Sequence, residues 1–237
     1  MSHFTNATFL ETIIWFYVIP SVYLSFRLRP QIKKAAFFAL TGTIIGMVFE
    51  YSAEVTKTWV FPHSAFPTLI FGLSPIEVPL WLFFWMYFIV MFYEYYLEKD
   101  RRVESSRSLI YTLFSAAVLV FVWVCLLPLT RQTLAVPYTY LSFGFAIGLL
   151  PLALCLWNFP KLAGKIFFAG IYFFYSSLIY EIVGLGLNIW DFPTEGQFIG
   201  WVNLFGFSFP FEEFFFWITL GSMGILAVYE FFDDDRK

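Results

Sequence analysis

Residues 49–62 read FEYSAEVTKTWVFP, and residues 180–193 read YEIVGLGLNIWDFP. The two stretches are offset by 131 residues. In each of them a tryptophan follows a glutamate by nine residues, and a Phe-Pro pair begins two residues after the tryptophan. Self-similarity at a fixed offset indicates an internal repeat. The matching residues are Glu50 with Glu181, Trp59 with Trp190, Phe61 with Phe192 and Pro62 with Pro193.

The similarity continues downstream of this pair. SPIEVPLWLFFW (74–85) aligns with FPFEEFFFWITL (209–220), which matches Glu77 with Glu212. We therefore predict two copies of a three-helix unit. The predicted divisions are a first repeat at 1–107, a linking helix and loop at 108–137, and a second repeat at 138–237.

Composition indicates the solvent around these units. Of 237 residues, 60% are hydrophobic and only 13% are charged, which is typical of an integral membrane protein. A bilayer-spanning helix needs about 20 mainly apolar residues. We predict an all-α membrane protein of seven transmembrane helices, in which two parallel three-helix repeats are joined by the linking helix. The predicted spans are 8–26, 35–57, 75–97, 108–128, 138–157, 166–188 and 210–232.

Basic residues are concentrated in alternate loops. Loops 27–34, 98–107 and 158–165 and the C-terminal tail hold 12 of the 14 lysines and arginines. Cytoplasmic loops carry an excess of Lys and Arg. The sequence therefore predicts a multi-pass protein of the cell membrane with its N-terminus outside and its C-terminus in the cytoplasm.

Six glutamates fall in the outward halves of the second, third, sixth and seventh predicted helices. An ionisable group at membrane depth is a functional hypothesis by default, because an unpaired charge is costly there. Burial disfavours the charged form of a carboxyl group, so we expect some of these acids to hold a proton that they can donate. They are Glu50, Glu54, Glu77, Glu181, Glu212 and Glu213.

Some acids also have a structural interpretation. Glu77 follows a serine by three residues, which is the spacing of a helix capping box. Glu54 can pair with Lys57 at i+3. Glu94 and Glu230 are expected to be solvated carboxylates at the inner helix ends.

Aromatic side chains accompany the acids in both copies. An aromatic ring can stabilise a carbocation through its quadrupole, and a carboxylic acid beside an aromatic wall suits proton-initiated olefin cyclisation. The rings that we expect to contact a substrate are Trp59, Trp190, Trp81, Phe215 and Trp217.

Missing motifs narrow the chemistry. The sequence has no G-x-G-x-x-G and no P-loop, and it has only two histidines. We therefore expect no metal and no cofactor, and a reaction without net oxidation. A net charge of −3 gives no reason to expect a nucleic-acid partner.

The paired motifs resemble those of the membrane-integral lycopene cyclases, the heterodimeric or fused type of archaea, actinobacteria and fungi. In that family a carboxylate-bearing helix is followed by an outer-loop tryptophan and then by a P-x-E-E motif. Val78 stands where the family usually has a second glutamate of the first motif, and both carboxylates before the tryptophans are Glu where Asp is common. The resemblance implies a catalytic set of Glu212, Glu213, Glu77, Glu181 and Glu50, with Glu212 or Glu213 as the acid.

The same resemblance implies a lipid-soluble polyene substrate within the membrane. Protonation of an acyclic end of lycopene would start ring closure, and a second carboxylate would remove a proton. A homo-oligomer or an association with other carotenoid enzymes is left open. Two alternatives are another polyene-modifying isomerase or hydratase, and a seven-helix transporter of small solutes, which parallel three-helix repeats also form.

Overall fold

A computed structural model describes residues 8–98, 107–127 and 133–232, and these are mostly helical. Five helices are long and apolar enough to cross a membrane, and α7 is a sixth if its two parts form one span. In α4 the shorter stretch Tyr111–Leu126 is apolar. The helices are α1 (Phe9–Arg27), α2 (Arg29–Val55), α3 (Glu77–Tyr96), α4 (Arg107–Leu126), α5 (Thr139–Asn158), α6 (Pro160–Gly186) and α7 (Glu213–Thr219 with Gly221–Phe232).

These helices confirm the prediction of a helical protein suited to a membrane, while the count of seven spans stays a prediction. Helix α3 packs against α1 and α2, and α7 packs against α5 and α6. α3 and α7 also contact each other. The linking helix α4 packs mainly on α2. Most buried side chains belong to one core between these helices.

Two helices contain a widened turn before a proline. A π-helical turn spans Ile14–Val18 in α1, and another spans Gly144–Leu149 in α5. Pro20 and Pro151 follow these turns. A proline has no N–H and its ring clashes with the carbonyl four residues earlier, so a regular α-helix cannot continue through it. The π turn gives the ring room and keeps the helix continuous.

Helix α7 is bent, although the sequence predicts one helix over 210–232. Its first part, Glu213–Thr219, is π-helical, and it meets Gly221–Phe232 at an angle of 51°. The Thr219 hydroxyl donates a hydrogen bond to the Phe214 carbonyl at 2.8 Å. A side chain that bonds to the backbone in this way bends a helix.

The loops after α2 and α6, called the outer loops after the orientation that the sequence predicts, each contain a short antiparallel hairpin that the sequence did not lead us to predict. The opposite ends of the helices are called the inner ends. One hairpin pairs β1 (Leu69–Ile70) with β2 (Ser74–Pro75), and the other pairs β3 (Trp201–Leu204) with β4 (Phe207–Pro210). Both turns contain a Phe-Gly pair with positive φ, at 71–72 and at 205–206. Glycine adopts this conformation at little cost, which favours the turn.

The inner ends of α3 and α7 are joined by crossed contacts. The Tyr93 hydroxyl donates to Glu230 at 2.5 Å, and the Tyr229 hydroxyl donates to Glu94. The Lys34 ammonium lies 3.2 Å from Glu94. The expectation that both glutamates are solvated is wrong, because their side chains are buried and find these partners on neighbouring helices.

A second crossed contact joins the outer loops. The Val60 N–H donates to the Asp191 carbonyl at 2.9 Å, and the Asp191 N–H donates to the Val60 carbonyl at 3.0 Å. These residues follow the tryptophans of the two similar stretches by one position. The loops that carry the tryptophans are therefore fixed against each other by backbone hydrogen bonds.

Candidate active site

A cavity of about 240 Å³ lies between α2, α3, α5, α6 and α7. Along α2 its lining runs from Phe38 to Glu50, which corresponds to about 18 Å of helix. Rings and aliphatic side chains form most of the wall, and the described residues that line it include no lysine, arginine or histidine. The cavity is thus long and apolar, and none of its described lining residues carries a positive charge that could neutralise an acid.

Three carboxyl groups, those of Glu50, Glu181 and Glu213, reach this cavity near its outer end. All three side chains are buried. The Trp59 indole N–H donates to Glu50 at 2.9 Å, and the Trp190 indole N–H donates to Glu181 at 3.1 Å. The structure therefore brings together three of the five predicted catalytic glutamates and orients two of them through tryptophans.

The chain reversal after α2 and α6 explains the nine-residue spacing. Lys57 and Asn188 both have a φ of 54° at the end of these helices. Two residues after each helix cap, an N–H returns to a carbonyl of the last turn, from Thr58 at 2.8 Å and from Ile189 at 2.9 Å. This is a Schellman motif. It turns the chain back so that the next residue, the tryptophan, lies beside the glutamate of its own helix.

The two sides of the cavity differ. Glu213 interacts with the carboxyl group of Glu181 and with the Tyr140 hydroxyl. Glu50 accepts a hydrogen bond from Ser74 at 3.1 Å, and the acid that it interacts with, Glu54, is not among the described residues that line the cavity. The residue that aligns with Glu213 in the first copy is Val78, which is buried. Among the described lining residues, the pair of interacting carboxyl groups is therefore that of Glu181 and Glu213.

The other two predicted catalytic acids lie outside the cavity lining. Glu77 accepts a hydrogen bond from the Ala65 N–H at 2.6 Å, and Glu212 accepts one from the Ile199 N–H at 2.7 Å. Both acids therefore fix the outer loops. The capping-box interpretation of Glu77 is wrong, because α3 begins without a side-chain cap and the Ser74 hydroxyl binds Glu50.

Four of the five predicted aromatic residues line the cavity, namely Trp59, Trp190, Trp81 and Trp217. Phe215 is not among the described lining residues. Other lining residues were not predicted, among them Tyr140 and Trp85. Trp85 was detectable in the sequence, since it lies one helical turn after Trp81 on the same face. Tyr140 was detectable through alignment of the two prolines, which places it opposite Phe9 of the first copy.

Comparison with protein-family models, with curated proteins and with solved structures finds no match. The arrangement of the side chains itself therefore has to indicate the chemistry. Carboxyl groups that touch an apolar cavity can give a proton to a bound molecule and take one back. The wall of rings can stabilise a cation formed between these two steps.

Gly184→Ala tests the placement of the tryptophan in the second half. A methyl group there would lie 2.1 Å from the Trp190 ring, so we expect the ring to shift, its hydrogen bond to Glu181 to weaken and stability to fall by about 1–3 kcal/mol. Thermal unfolding in detergent measures the loss. Gly186→Ala is the matched control, because its methyl group would meet Phe207 at an ordinary 3.4 Å. Equal stability of the two variants would contradict this placement.

Proposed function

We propose that this chain is a membrane-embedded polyene cyclase of the lycopene cyclase type that needs no cofactor. The observation that carries the proposal is the meeting of Glu50, Glu181 and Glu213 at one end of a long aromatic cavity without a lining cation. Such a cavity accepts an extended hydrocarbon, and the acids are placed against one end of it. A polar solute would find few hydroxyl or amide groups along the wall, which favours the cyclase over the transporter.

The unequal environments of the acids support separate roles. Two interacting carboxyl groups in an apolar site hold one proton between them, because two adjacent negative charges repel strongly there. We therefore assign the proton donor to the pair of Glu213 and Glu181. Glu50 already accepts hydrogen bonds from Trp59 and Ser74, which suit a carboxylate. We assign it the removal of the proton at the end of the reaction.

The proposed reaction is balanced without a second reactant. A proton from the acid pair adds to C2 of an acyclic end and leaves a tertiary cation. The C5=C6 double bond attacks this cation and closes a six-membered ring, and the cation that remains loses a proton to Glu50. One proton enters and one leaves, so the product is an isomer of the substrate, and the protein regains its state by proton exchange between the acids.

We also propose seven spans in two parallel repeats, with the N-terminus outside the cell and α4 as the link. The crossed contacts of the two halves support a two-fold axis along the membrane normal. Such an axis exchanges the two halves, so a contact from the first half to the second is repeated from the second half to the first. The contacts concerned are the backbone pair of Val60 with Asp191 and the two tyrosine–glutamate pairs of α3 and α7. The aligned π turns of α1 and α5 support it as well.

Expression in a bacterium that accumulates lycopene tests the function. We expect new carotenes of unchanged mass that are less retained in chromatography and absorb at shorter wavelength, because ring closure shortens the conjugated system. Cells with the empty vector are the control. Lycopene that stays unchanged while the protein is present in the membrane would contradict the proposal.

A further inference from the structure

The flank of the cavity between α1 and α6 is closed by aromatic packing. The Tyr180 ring lies 4.9 Å from the Tyr17 ring and 5.1 Å from the Phe16 ring, centroid to centroid. Tyr17 and Tyr180 are each only 1% exposed. A molecule in the bilayer therefore cannot pass between these two helices without moving the rings.

The equivalent flank, between α2 and α5, is closed by rings in its outer part, where the Phe49 ring stacks on the Phe143 ring at 4.8 Å, but it has a small residue farther along α5. Alignment of Pro20 with Pro151 puts Gly148 at the position of Tyr17. Gly148 lines the cavity, and a methyl group built on it meets no heavy atom within 4 Å. Between α1 and α6 the Tyr17 ring fills this position, whereas between α2 and α5 the space next to Gly148 is open.

Side chains at this flank face both the cavity and the outside. Ile147 lines the cavity and is 39% exposed. Leu113 of α4 also lines it and is half-buried. Since α5 is one of the helices suited to cross the membrane, the medium outside Ile147 is the hydrocarbon of the bilayer. Residues that line the cavity therefore also face outward at this flank.

We propose that this gap is a lateral portal, defined by Gly148, Ile147, Ile45 and Leu113, through which a long apolar molecule dissolved in the bilayer reaches the acids. The proposal rests on the proposed function for the identity of that molecule. A linear hydrocarbon of this kind stays in the membrane, and a passage without charged side chains lets it move inward without contact with water. The glycine keeps the passage wide where the opposite flank has a tyrosine ring.

The pair Gly148→Trp and Gly148→Ala tests the portal in the lycopene-accumulating bacterium. The indole would fill the passage, so we expect a loss of cyclised product of about tenfold or more, since packed side chains leave no room for a second molecule. The alanine variant should form several times more product than the tryptophan variant, because its methyl group meets open space. Equal membrane levels and melting temperatures must accompany the comparison. A tryptophan variant as active as the alanine variant would overturn the portal.

A spin label tests the portal independently of the reaction. The label is attached to Gly148→Cys in the full chain, with the two native cysteines, Cys125 and Cys155, replaced by alanine. In phosphatidylcholine vesicles we expect strong relaxation by oxygen, which concentrates in the bilayer, and weak relaxation by a water-soluble nickel chelate. A label shielded from both reagents would overturn the portal. If the parent chain gives no cyclised product, the cyclase proposal fails, and the label alone decides on the portal.

Discussion

Glu213→Gln is expected to abolish formation of the cyclised product. The amide has the size of the carboxyl group but cannot transfer a proton, and the loss of a positioned acid lowers the rate by about 10²–10⁴-fold. Glu213 reaches the cavity and interacts with Glu181, so the substitution acts on the proposed donor itself. The measurement is the yield of cyclic carotene per amount of membrane protein in lycopene-accumulating cells.

The neighbouring residue provides the control. Glu212 is buried as well, but its carboxylate faces the Ile199 N–H, 2.7 Å away, and does not line the cavity. An amide oxygen can still accept this hydrogen bond, so Glu212→Gln should keep most of the activity. Activity that survives in Glu213→Gln, or a loss confined to Glu212→Gln, would show that the acid has been assigned to the wrong residue.

Lys34→Met is expected to cause the largest loss of stability. The Lys34 ammonium lies 3.2 Å from the Glu94 carboxylate, and both side chains are almost completely buried. Removal of one partner of a buried ion pair costs about 3–5 kcal/mol, because the other charge remains in an apolar environment. A methionine keeps the length of the side chain and removes the charge. Thermal or denaturant unfolding of the protein in detergent measures the change.

The matched control is Lys165→Met, which breaks the pair with Glu98. These two charges lie 2.7 Å apart, but the lysine side chain is 36% exposed and water replaces much of the lost interaction. We expect a change of about 1 kcal/mol or less. If both lysine substitutions had equally small effects, the Lys34 pair would not stabilise the inner end of the bundle.

The sequence predicted well what depends on local pattern. Apolar length located the helices that fit a membrane, and the repeated spacing marked the pairs Glu50 with Trp59 and Glu181 with Trp190, although the hydrogen bonds within them were not predicted. Each bond links residues nine positions apart, so its geometry follows from a helix end and one turn. Pro20 and Pro151 also signal an interruption of a regular helix, but the predicted spans 8–26 and 138–157 did not take them into account.

Features that depend on distant contacts were not predictable. Glu212 and Glu213 are adjacent in the sequence and have apolar neighbours on both sides. Only the three-dimensional structure shows that Glu212 contacts a loop while Glu213 lines the cavity. The burial of Glu94 and Glu230 depends on tyrosines more than 130 positions away. The bend of α7 depends on a π turn for which no simple sequence signal exists.

The crossed tyrosine–glutamate contacts have a consequence for the order of events in catalysis. They fill the space between the inner ends of α3 and α7 with buried side chains, so under the proposed function the substrate would enter and leave through the same lateral portal. In the proposed reaction, a linear molecule with two identical ends would present only its leading end to the acids. To react at the other end it would have to withdraw, reverse in the bilayer and return. The proposal therefore predicts that a one-ring compound is released between two visits.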